Sequence, residues 1–109
     1  MRSPSSSMLK PLGVAALVVA AWPAAAQDSA ALRQQALAAT CANCHGTQGR
    51  AVEGAAVPGL AGMPAAYLAE QLKAFKAGTR PATVMHQLAK GYSDAQVEQI
   101  AAYFAAQKK

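Results

Sequence analysis

Cys41-Ala42-Asn43-Cys44-His45 is the stretch on which the reading of this chain turns. It has the pattern C-x-x-C-H, two thiols three residues apart with an imidazole directly after the second, which is the spacing of covalent haem attachment. The spacing has a physical reason: on a helical turn, residues i, i+3 and i+4 share one face. Two sulfurs can then reach the two vinyl groups of one porphyrin while the imidazole turns beneath the iron. Three other chemistries use the same residue types and fit less well. A thioredoxin-like dithiol sits at a helix N-terminus beside a βαβ pattern, and this chain shows no strand alternation. A structural zinc site would have to recruit His86 and matches no familiar ligand spacing. A plain disulfide between Cys41 and Cys44 suits an oxidising compartment but leaves His45 without a role.

Working outward, residues 30–40 are rich in Ala, Leu, Gln and Arg, which favour helix, and Asp28 and Ser29 ahead of them are good N-caps. The expectation is a helix that runs into the cysteine motif. After the motif, residues 46–62 contain five glycines and Pro58 with no lasting periodicity, which predicts a long loop. A loop of that length in a small domain usually wraps something. Pro64 suits the first turn of a helix, and Leu68, Leu72 and Phe75 recur at spacings of four and three until Gly78. Residues 81–90 are expected to hold a short helical turn ending at Gly91. Ser93 followed by Gln96 is a capping box, and Val97, Ile100, Ala101 and Phe104 mark one face of a last helix. The fold class is therefore all-α.

Residues 1–26 read differently from the rest. Arg2 and Lys10 are followed by the apolar run 12–22, then Pro23 and three alanines, the layout of a secretory signal peptide cleaved after Ala26. A spanning helix needs about 20 apolar residues, and Pro23 ends this run after 11. The expected product is a periplasmic domain of residues 27–109 with no stable membrane insertion. At 83 residues, such a domain has a marginal hydrophobic core and calls for a covalent or metal staple. Loss of Arg2 and Lys10 lowers the formal charge from +5 to +3, which two haem propionates would largely offset. The remaining cations are scattered, with no basic stripe interleaved with aromatics, and that speaks against nucleic-acid binding.

If His45 takes one axial position of the iron, the candidates for the other are Met63, Met85 and His86. A thioether raises the reduction potential and favours ferrous iron, whereas a second imidazole lowers it. Met63 stands at the edge of the loop, 18 residues after His45. Met85 stands 40 residues after it, beyond the middle helix, where the chain has length enough to reach the opposite face of the porphyrin. On spacing alone all three stay open.

The whole arrangement resembles a class I cytochrome c: helix, C-x-x-C-H, the loop with Pro58-Gly59-Leu60-Ala61-Gly62, a middle helix with Tyr67-Leu68 and Gln71-Leu72, Met85, and a capped helix with Ala101-Ala102-Tyr103-Phe104. The likeness is to the cytochrome c4 group. Within that group, Arg80-Pro81-Ala82-Thr83-Val84-Met85-His86-Gln87 and Ala89-Lys90-Gly91-Tyr92 resemble the cytochrome subunit of flavocytochrome c sulfide dehydrogenase. The resemblance implies one haem c bonded to Cys41 and Cys44, iron held by His45 and Met85, and a Pro58 carbonyl that accepts a hydrogen bond from the free ring nitrogen of His45. It also implies that the first and last helices cross, giving Ala36, Val97, Ile100 and Phe104 a core role. Members of the c4 group carry two haem domains; this sequence has one motif and resembles the single-haem form.

With both axial positions filled by protein, the iron would have no place for substrate, and one-electron transfer through the haem edge is the chemistry left to it. The expected role is a carrier and not by itself an enzyme, working with redox protein partners. Two settings fit: a cytochrome subunit taking electrons from a flavoprotein that oxidises sulfide, or a freely diffusing carrier between respiratory proteins. A haem enzyme or gas sensor would require an open iron position. Lys73, Lys76, Arg80 and Lys90 are candidates for steering a partner to the haem edge.

Overall fold

The apolar face read from Val97, Ile100, Ala101 and Phe104 is the one that builds the core. In the computed structural model, which describes residues 25–109 and their side chains from Ser29 onward, these four are buried in the last helix. The chain forms α1 (Ala25–Ala39), α2 (Ala42–His45), a 3-10 turn (Thr47–Gly49), α3 (Ala65–Ala77), α4 (Met85–Lys90) and α5 (Asp94–Ala105), with no strand among the described residues. Apart from its last two residues, the expected leader lies outside the described residues.

Helix α1 starts at Ala25, so Asp28 and Ser29 fall inside it rather than capping it. Ala25, Ala26 and Gln27 are good helix formers that extend the helix past the expected cap. It meets α5 through one stripe. Gln34 donates from Nε2 to the Gln99 carbonyl at 3.0 Å, and Ala38 is 2 % exposed. Leu37 and Cys41 pack at the edge of the same cluster, completing an i, i+3, i+4, i+7 face. Ala36, expected in the core, is exposed instead. Two residues from Ala38 on a helix of 3.6 residues per turn, it points roughly to the opposite side.

Helix α3 begins after Pro64, whose φ of −57° suits the entry to a helix, and ends as its sequence requires. Gly78 takes φ +78°, its N–H bonds to the Phe75 carbonyl and the Thr79 N–H to the Ala74 carbonyl, a Schellman closure. Leu68 and Ala69 from α3 join Ala38 and the α5 face in one cluster. The capping box at the start of α5 is complete: Ser93 Oγ accepts from the Gln96 N–H and the Gln96 side chain accepts from the Ser93 N–H.

The segment 46–62 wraps the C-terminal end of α5. The Gly49 carbonyl accepts from both the Leu60 and Ala61 N–H groups, and the Gly62 N–H donates to the Phe104 carbonyl at 2.9 Å. Gly49 is also where the loop presses closest to the core. It has φ +76°, and a Cβ there would lie 2.7 Å from Phe104 Cδ1, so neither the backbone conformation nor the space admits a side chain.

A haem-attachment turn and its candidate ligands

Between Ala39 and Ala42 the helical ladder breaks, and the cysteine motif forms its own single turn, α2, instead of ending α1. Cys41 is its N-cap, and the Cys41 carbonyl accepts from both the Cys44 N–H at 3.3 Å and the His45 N–H at 3.0 Å. The i, i+3, i+4 relation of Cys41, Cys44 and His45 is therefore preserved by the turn itself. The two cysteines form no disulfide, and Cys41 is half-buried while Cys44 is exposed. Burial pushes the Cys41 thiol above its ordinary range.

His45 is buried, 9 % exposed, and its Nδ1 lies 2.7 Å from the Pro58 carbonyl oxygen. A carbonyl only accepts, so Nδ1 carries the proton and donates. In the neutral ring Nε2 then holds the lone pair. The long loop thus returns at Pro58 to orient the imidazole and select the tautomer able to bind a metal. Turning the chain back from His45 also needs Gly46, with φ +83°; a Cβ there would stand 2.0 Å from the Arg50 carbonyl oxygen.

Met85 is half-buried at the first position of α4, and His86 follows it, also half-buried, with Nδ1 buried and without a hydrogen-bond partner among the described residues. Neighbours on an α-helix point about 100° apart, so a given iron can be faced by one of them. Met63 is half-buried against the core cluster beside Leu60, in the packing role that a methionine commonly has.

The donor set suits a c-type haem. It offers two unpaired thiols on one turn, an imidazole whose other nitrogen is already engaged, and a thioether on a separate short helix. Among the described residues there is no group of three or more His, Cys, Asp or Glu side chains of the kind that holds a bare metal ion.

Most of the cations expected to steer a partner are tied to their own surface. Lys73 pairs with Glu98 at 2.5 Å, and Lys76 with Asp94 at 3.0 Å. The Arg80 guanidinium lies 4.6 Å from the Phe75 ring centre and donates to Gln71. No spacing in the sequence marks these pairs, because helices do not announce which of their exposed faces will meet. Exposed pairs add little stability; they do lower the net field that Lys73 and Lys76 present. Lys90, in the last turn of α4, is exposed and makes no ion pair among the described residues.

The family model for cytochrome c matches residues 30–108. A thiosulfate dehydrogenase electron acceptor of Thiomonas intermedia is 42 % identical over 97 residues, covering 89 % of this chain and 43 % of that protein. The cytochrome subunit of sulfide dehydrogenase of Chlorobaculum tepidum is 39 % identical over 72 residues, 66 % of this chain and 64 % of that one. A cytochrome c4 of Pseudomonas aeruginosa is 40 % identical over 102 residues, 94 % of this chain and 47 % of its own length. The chain therefore spans between two fifths and two thirds of these relatives. With a matching family model over nearly all of the described residues and the attachment turn in place, this chain belongs to the cytochrome c family, an electron carrier built on one haem c bonded to Cys41 and Cys44.

Proposed function

We propose that this chain is an exported, periplasmic one-electron carrier whose iron is held by His45 and Met85, and that it accepts electrons from a flavoprotein that oxidises sulfide. The observation that carries the ligand reading is the Nδ1 hydrogen bond from buried His45 to Pro58, which leaves Nε2 as the metal-binding nitrogen. Met85 is assigned the other position by its place on a separate helix and by the family resemblance, and Pro58 supports the haem through His45. When bound, the haem iron supplies one-electron ferric/ferrous chemistry. The protein's own residues fix the imidazole, offer the thioether and leave no position for a substrate. Export rests on the leader-like layout of residues 1–26.

The donor reading is supported by the stretch around Met85 and by the relative named as a sulfide dehydrogenase subunit. A second reading, favoured by the relative that matches 89 % of this chain, places a thiosulfate dehydrogenase as the donor. Anaerobic stopped-flow mixing of the ferric protein with each purified dehydrogenase and its substrate separates them. The expected result is rapid haem reduction by the sulfide-oxidising flavoprotein, with co-elution of the two chains on size exclusion. Reduction by the thiosulfate enzyme alone would move the assignment to the second reading, and reduction by neither would overturn both.

A further inference from the structure

Helix α4, which carries Met85, lies against α3 but buries little of its own surface. It has six residues, of which only Ala89 is buried, while Val84 ahead of it and Leu88 within it are 54 % and 51 % exposed. One helical turn and a half is not stable by itself, so its position depends on its packing against α3 and on how its ends are tied. The tie at its C-terminal end is Tyr92. Its N–H bonds to the Ala89 carbonyl at 3.2 Å, its carbonyl accepts from Lys76 Nζ at 2.7 Å, and its ring packs against the core cluster. Its hydroxyl lies 2.7 Å from Thr40 Oγ1. Thr40 has one hydroxyl proton and donates it to the Leu37 carbonyl at 2.8 Å, so Tyr92 is the donor to Thr40. Thr40 immediately precedes Cys41. The chain Tyr92 O–H to Thr40 O–H to Leu37 C=O therefore joins the corner after α4 to the turn that bears the haem.

We infer that Tyr92 is a positioning residue for electron transfer: through Thr40 it clamps α4 to the haem-attachment turn and so holds Met85 in place at the iron. The inference rests on the His45/Met85 reading above for its last step. The same contacts give Lys76 a structural task, pinning the Tyr92 carbonyl from α3 while pairing with Asp94.

The holoprotein and its Tyr92→Phe, Thr40→Val and Thr40→Ser variants test this by two readouts. The first is amide exchange of Gln87 and Leu88, whose N–H groups bond to the Val84 carbonyl in the first turn of α4. The second is the affinity of the ferric protein for added imidazole, which competes with Met85. Loss of one neutral hydrogen bond corresponds to about a fivefold change in an opening equilibrium. Tyr92→Phe and Thr40→Val should each raise α4 exchange and imidazole affinity about fivefold with α5 exchange unchanged, and Thr40→Ser should behave as wild type. Unchanged α4 exchange in both, or an equal rise in α5, would overturn the clamp. Should the wild-type ferric protein lack the spectral band of methionine ligation, the ligand reading fails, while the exchange arm still decides the clamp.

Discussion

A Cys41→Ser/Cys44→Ser chain, expressed under conditions that mature c-type cytochromes, should carry no haem through denaturing electrophoresis and should lose most of its helical circular dichroism. Loss of the covalent link follows from the chemistry of the two thiols. Loss of the fold follows from the size of the core. Among the described residues its buried apolar ones are Ala38, Ala61, Leu68, Ala69, Ala89, Val97, Ile100, Ala101 and Phe104, more than half of them alanines, and only Phe104 and Val97 of these are large side chains with no more than 1 % exposure. Alanines bury little apolar area, and burial contributes roughly 25 cal/mol per Å², so this core alone falls short of the chain entropy that folding removes. The haem supplies the missing apolar mass and cross-links the attachment turn. The expected melt of the double variant is broad and uncooperative; a sharp transition near that of the wild type would show that the protein core suffices.

Phe104→Ala should be the most damaging single core substitution that leaves the haem attached. Its ring is 1 % exposed, meets the Tyr103 ring edge-on at 5.2 Å and faces the loop so closely that Gly49 has no room for a side chain. Truncating a buried phenylalanine costs about 3–5 kcal/mol, a large part of the roughly 5–15 kcal/mol available to a domain. In guanidinium the midpoint of the holoprotein should fall by about 1 M or more, with the haem still covalently bound. A shift of a few tenths of that size would mean that the haem, and not the α5 face, carries the stability.

The elements were legible because each had local punctuation: Pro64 and Gly78 around α3, the Ser93/Gln96 box before α5, and the periodic apolar face from Val97 to Phe104. Where the reading missed, the deciding interaction was not local. Ala36 and Ala38 are the same residue type, and only the angle at which α1 meets α5 buries one of them. The break at Thr40 and Cys41 separates α1 from the motif, although the composition of 30–40 favours continued helix. It has a counterpart in tertiary contacts, since Thr40 bonds to Tyr92, 52 positions away. Lys73 and Lys76 read as free surface charge until α3 and α5 come together and present Glu98 and Asp94 to them. Their titration follows: Glu98 holds Lys73 above its ordinary range and Lys76 holds Asp94 below its own. The hydrogen bond from His45 to Pro58 was expected only from the family resemblance, because no spacing rule links positions 13 residues apart across an irregular loop.

The ferric visible spectrum of the mature protein beside that of its Met85→Ala variant tests the central claim most directly. A His45/Met85 iron predicts the weak long-wavelength band of methionine-ligated ferric haem in the wild type and its complete loss in the variant, with the covalent haem retained in both. A haem spectrum that lacks the band in the wild type, or keeps it without Met85, would contradict the assignment.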